Sequence, residues 1–145
     1  MQWADLETAL APEPLFPVEK PDGRCDLSEE KRAATLVALV HRLAPRCEIA
    51  HVRNEGRYNH ARAKSLGLVA GFADYVVTWP NRGTAFIELK GYDARGRAGK
   101  LSAAQVEWGN RKFLQGFPVA CFFSPERALE WLASHGAPVV GRVAA

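Results

Sequence analysis

Apolar positions recur at helical spacing from Ala33 through Leu36, Val37, Val40 and Leu43. This is the period of a helix with one buried face. Ser28 stands before the run as an N-cap, Glu29 and Glu30 fall in the first turn where the helix dipole favours acids, and Pro45 stops it. Glu48 to Arg53 alternates as a strand does, and Asn59 to Ser65 reads as a short helix closed by Gly67. Ala73–Trp79 and Thr84–Leu89 read as two strands, and Pro80-Asn81-Arg82-Gly83 between them has the chemistry of a hairpin turn. A glycine- and arginine-rich loop spans 91–100. Ser102 then caps a helix running to about Gln115, and Gly116 closes it. Phe117–Phe123 is an apolar strand, Ser124-Pro125 opens a last helix to about Ser134, and the short apolar tail from Ala137 reads as an edge strand.

The order α-β-α-β-β-α-β-α, with no internal repeat, predicts a small α/β domain whose mixed sheet is flanked by helices. Residues 1–26, with Pro12, Pro14, Pro17 and Pro21, read as an irregular arm ahead of a domain over 27–145, with one helical turn near the start. Trp3, Leu6, Leu15 and Phe16 are positioned to pack on the domain or on a second subunit.

Composition narrows the class. A chain of 145 residues, 48% apolar and 24% charged, suits one globular core. No apolar run approaches the roughly 20 residues that span a bilayer, and Met1–Leu10 lacks the pattern of a signal peptide. The three cysteines, Cys25, Cys47 and Cys121, form no CxxC pair, so a zinc site or disulfide framework is not expected and a cytoplasmic, reducing location is. The net charge of +3 says little, but its distribution says more. Arg57, Arg62 and Lys64 fall in one basic stretch, and Arg95, Arg97 and Lys100 in another. Two such segments suit contacts to a phosphate backbone, against the alternative of solvated loops.

The stretch carrying chemistry is Gly71 to Lys90. In a hairpin, the start of one strand lies beside the end of the next, so Asp74 and Glu88 meet across the ladder. Glu88 and Lys90 are two apart and share a face, while Leu89 points into the core. Placing an acid and a lysine in so apolar a strand is costly unless they are paired or bind a metal. Two close carboxylates resist joint ionisation, and a divalent cation such as Mg²⁺ removes that conflict. Metal-assisted phosphodiester hydrolysis needs such a set, with Lys90 holding water or neutralising developing charge. An ordinary Glu88–Lys90 ion pair on an exposed sheet face is the competing reading.

The pattern Asp74-X13-Glu88-Leu89-Lys90 resembles the PD-(D/E)xK nuclease superfamily, and its surroundings resemble the VRR-NUC (virus-type replication-repair nuclease) family. Lys64-Ser65-Leu66-Gly67 preceding Gly71-Phe72-Ala73-Asp74 is similar to the family's K-x-x-G…G-x-P-D, with Ala73 where proline is usual. Phe86-Ile87-Glu88-Leu89-Lys90 is similar to its h-I-E-h-K, Leu101–Trp108 to its L-S-x-x-Q-x-x-W, and Gly116–Ala120 to the strand that follows. The resemblance covers roughly 28–134. It implies a restriction-endonuclease-like core and a metal-dependent DNA endonuclease. The catalytic residues would be Asp74, Glu88, Lys90 and Gln105, and Mg²⁺ (or Mn²⁺) would be held by Glu29, Asp74, Glu88 and Leu89. Glu30 and Glu55 are the alternatives for the third acid. A short member of this family is expected to be a homodimer acting on branched DNA such as four-way junctions. The alternatives are a less selective nuclease or nickase, and a silent nucleic-acid-binding module with the same fold. Trp108 reads as a core anchor, and the four histidines show no ligand spacing.

Overall fold

A computed structural model describes residues 2, 12–52, 67 and 69–141. Its elements run α1 (Glu29–Leu43), β1 (Glu48–His51), β2 (Tyr75–Trp79), β3 (Gly83–Leu89), α2 (Ala103–Leu114), β4 (Val119–Phe122) and α3 (Pro125–Ser134). The expected helix over 59–65 and the helical turn near the start lie outside the described residues.

The four strands form one sheet in the order β1-β2-β3-β4. The β1–β2 and β2–β3 pairs are antiparallel, and β3–β4 is parallel. Asn81 and Arg82 turn the β2–β3 hairpin at φ 65° and 68°, the left-handed geometry that matches the twist of paired strands. The parallel pair needs a crossover, and α2 supplies it.

Side chains alternate across the sheet, so it has two buried faces. Val77, Ala85, Ile87 and Leu89 face Leu36, Leu39 and Val40 of α1 and Ala128, Leu129 and Leu132 of α3. Phe86, Val119 and Cys121 face Trp108 of α2, together with Ala73 and Phe16. Helices thus flank a mixed sheet, as the pattern predicts.

The arm contributes to the second layer. Phe16 is buried against Gly109, where a Cβ would lie 2.4 Å from its ring, so a glycine inside α2 gives the ring its place. Val18 makes one parallel bridge to Cys121 at the outer edge of β4. Leu15 stays about half exposed. Trp3 and Leu6 lie outside the described residues.

One expectation is corrected. The tail over 137–141 is no strand: Ala137 is buried and Val140 N–H donates to the Leu43 carbonyl, so it closes over the end of α1. Arg32 of α1, a charged residue, is almost wholly buried. Its guanidinium donates to both Asp22 carboxylate oxygens, at 2.6 and 3.1 Å, and to the carbonyls of Leu27, Arg24 and Phe123. It also lies 5.7 Å from the ring centroids of Tyr92 and Phe123. A buried cation is tolerable only with such complete pairing.

Candidate active site

Hairpin register builds the site. Tyr75 pairs with Ile87, so one step further out Asp74 lies beside Glu88. The backbone N–H of Asp74 donates to Glu88 Oε2 at 3.2 Å, and that of Leu89 donates to Asp74 Oδ2 at 3.0 Å. The two acids are therefore interlocked through each other's main chain. Lys90 follows on the same face, with Nζ 3.7 Å from Glu88 Oε1.

The fourth member comes from α2. Ser102 caps this helix, accepting from Gln105 N–H, while its own N–H donates to Gln105 Oε1 at 2.9 Å. That capping box fixes the Gln105 side chain at the helix start. The same Oε1 accepts from Lys90 Nζ at 3.2 Å, and Nε2 donates to Glu88 Oε1 at 2.7 Å. Gln105 is at once a helix cap and the bridge between Lys90 and Glu88. Gly71 makes the approach possible. Its φ is +76°, and a Cβ there would lie 2.2 Å from the Ala104 carbonyl oxygen, so a side chain would push α2 away from Asp74.

Glu88 is 6% exposed, and its acidity follows. Burial raises its pKa first and the neighbouring Asp74 charge second; Lys90 pulls it down without prevailing. The result is a carboxyl pushed up to about 9. The 3.7 Å contact with Lys90 is thus not a simple ion pair at neutral pH. Burial of the acid outweighs an attraction acting at that distance, so Glu88 holds its proton. Two adjacent carboxylates, one of them buried, suit a divalent cation in place of the proton on Glu88. The donor set fits Mg²⁺: carboxylate oxygens from Asp74 and Glu88, joined by the Leu89 main chain. The N–H and C=O of one strand residue face the same neighbour, so the Leu89 carbonyl faces the Asp74 side even though its side chain is in the core.

Glu29 is exposed in the first turn of α1. Among the described residues no three acids, histidines or cysteines form a cluster. Glu29 instead acts electrostatically on Tyr75, which with Asp74 and burial raises the phenol's pKa. Tyr75 belongs to the opposite sheet face, packed with α1. Glu30 is exposed on α1, and Glu55 lies outside the described residues.

A cleft of about 170 Å³ opens beside the carboxylates, lined by His51, Val52, Gly71, Phe72, Asp74 and further residues. His51 is missed by motif reasoning. It stands at the end of β1 opposite Tyr75, ring centroids 5.0 Å apart. Only the strand pairing, and no spacing in the sequence, brings it there. Phe72 stacks on Trp108 at 4.4 Å, so the wall of the cleft continues into the core that Trp108 anchors, as expected of that residue.

The basic residues divide. Arg57, Arg62 and Lys64 lie outside the described residues; the chain leaves for that segment from Val52 and returns to Gly71, both of which line the cleft. Arg95, Arg97 and Lys100 are exposed. Arg97 is paired with Asp93 at 2.8 Å, which lowers the pKa of Asp93. Their loop closes on itself through a bridge between Tyr92 and Ala98. It lies beside Lys90: a Cβ at Gly99 would sit 3.3 Å from Lys90 Cδ. The loop thus borders the site.

No family model, curated protein or solved structure matches the chain. Among the described residues no helix is long and apolar enough to cross a membrane.

Proposed function

We propose that the chain is a Mg²⁺-dependent DNA endonuclease, with Asp74, Glu88, Lys90 and Gln105 at its catalytic centre. The observation that carries this is the buried Glu88 carboxyl interlocked with Asp74 through main-chain hydrogen bonds, with Gln105 donating to its Oε1 and Lys90 Nζ 3.7 Å away. An ordinary structural ion pair has no need of a second carboxylate beside an acid that burial already pushes up. The resemblance of residues 28–134 to the VRR-NUC family supports the same reading.

Asp74, Glu88 and the Leu89 carbonyl would hold the cation, which when bound polarises the phosphodiester and acidifies water. Lys90 Nζ, steered by Gln105 Oε1, faces the same space and can hold the attacking water or donate to the phosphate oxygens as their charge grows. Water oxygen bonds to phosphorus, the bridging P–O bond breaks, and the proton lost by water ends on the leaving oxygen or solvent. The Gln105 amide keeps Glu88 oriented throughout. Mn²⁺ substitutes for Mg²⁺. The substrate is branched DNA, and a homodimer presents two such sites to a two-fold junction.

A panel of duplex, flap, single-stranded and four-way DNA, end-labelled and incubated with Mg²⁺, tests both the chemistry and the substrate. Cutting strongest on the four-way substrate and lost in Lys90→Met is expected. Equal cutting of all four would leave a less selective nuclease, and no cutting of any would reject the proposal.

A further inference from the structure

A second cleft, of about 600 Å³, is away from the carboxylates. It lies between the arm, the first turns of α1 and the start of α3. Its floor is Arg32, whose side chain is 1% exposed, paired with the partly exposed Asp22. Its acids are engaged. Asp22 holds Arg32. Glu19 Oε1 accepts from the backbone N–H groups of Phe123 and Ser124, and its Oε2 lies 3.6 Å from Arg127. Glu126 accepts from the Ser124 hydroxyl. Its cations Lys20, Arg24 and Lys31 are exposed, and among the described residues none has a carboxylate at ion-pair distance. The unbalanced charge at the mouth is therefore positive, over a floor that complete pairing makes rigid.

This mouth is continuous with the border of the candidate active site. Gly23 N–H donates to the Tyr92 hydroxyl at 2.8 Å, and Tyr92 N–H donates to the Leu27 carbonyl. At the tip of the basic loop, a Cβ on Gly96 would touch Cys25 Cβ at 3.9 Å. Arg24 is next to Cys25, and Arg95 and Arg97 flank Gly96. Cationic side chains thus follow one another from the loop beside Lys90 across the arm and into the cleft.

We propose that this cleft binds the phosphate backbone of a DNA segment running on from the catalytic site, through Lys20, Arg24 and Lys31. The proposal takes the identity of the polymer from the nuclease reading, and everything else from the cleft. Phosphate positioned here fixes where the duplex lies without reading its sequence.

The test is the salt dependence of binding of a fluorescent DNA duplex to the full chain in chelator, so that the result is independent of cleavage. The variant carries Lys20→Gln, Arg24→Gln and Lys31→Gln together. These side chains are exposed, so its thermal midpoint should match that of the wild type, which certifies the fold. Each phosphate contact contributes about 0.9 to the slope of log K against log salt. Loss of the three contacts therefore flattens the slope by about 2 to 3. An unchanged slope would overturn the assignment. A labelled nucleoside triphosphate separates the other source of phosphate: if the triple variant loses it while the DNA slope stays the same, the cleft serves a small ligand and the DNA assignment is also wrong. A flattened slope in a protein that cuts nothing with Mg²⁺ would leave the cleft standing and remove only the nuclease reading.

Discussion

Replacing Glu88 by glutamine should stabilise the metal-free protein at alkaline pH and erase a pH dependence that the wild-type chain carries. In the folded chain the Glu88 carboxyl titrates near 9, against an ordinary value of 4.5. Folding therefore takes up a proton between these limits. Wherever the folded state binds more protons than the unfolded state, stability falls as pH rises. The Glu88 contribution costs nothing below about 4.5 and grows to its full size near 9, at up to about 1.4 kcal/mol per pH unit. At pH 8 the burden is on the order of 5 kcal/mol. Glutamine mimics the protonated acid and has no charge to bury. It weakens one bond, that from Asp74 N–H at 3.2 Å, which costs about 1 kcal/mol. A net gain of roughly 3–4 kcal/mol remains, a rise of about 10 °C in melting temperature for a chain of this size. Urea unfolding of both proteins in chelator at pH 5, 6.5 and 8 measures it. The curves should converge at pH 5 and separate at pH 8. Parallel curves, or a less stable variant at pH 8, would refute the argument that burial beside Asp74 keeps Glu88 protonated.

Three other outcomes follow from the packing. Gly71→Ala forces a Cβ against the Ala104 carbonyl at positive φ and should cost about 2 kcal/mol or more; unaltered urea stability would mean that α2 does not rest on Gly71. Asp22→Ala strands the buried Arg32 guanidinium and should cost about 3 kcal/mol, and a loss under about 1 kcal/mol would show that the carbonyls alone suffice. Exposed Leu15, Phe113, Leu114, Phe117 and Val140 leave apolar surface that a second copy can cover. Light scattering at micromolar concentration should give twice the chain mass, and a mass near 15.9 kDa would reject the homodimer.

The strands were legible because alternation and hairpin chemistry are local. The meeting of Asp74 and Glu88 was legible too, since one turn fixes the register of both strands. Gln105 could be placed because its spacing from Ser102 is a capping signal that also fixes where the side chain projects. What stayed hidden depends on distant partners. The burial of Arg32 depends on the arm, which folds back and brings Asp22 to it. His51 enters the cleft only through the β1–β2 pairing. The apolar tail reads as an edge strand because apolar character alone does not distinguish pairing from packing over a helix end.

The central claim is tested most directly by single-turnover cleavage of a labelled four-way DNA by the wild-type chain and by Glu88→Gln. Both are assayed with Mg²⁺, with Mn²⁺ and with chelator, after each is shown to be folded. The wild type should cut with either metal and stop with chelator, while the folded Glu88→Gln variant should lose at least a hundredfold in rate, on the order expected when a catalytic charge is removed. Cleavage by wild type that survives chelator, or an undiminished rate in Glu88→Gln, would contradict the assignment of the Asp74–Glu88 pair as the metal-holding centre of a nuclease.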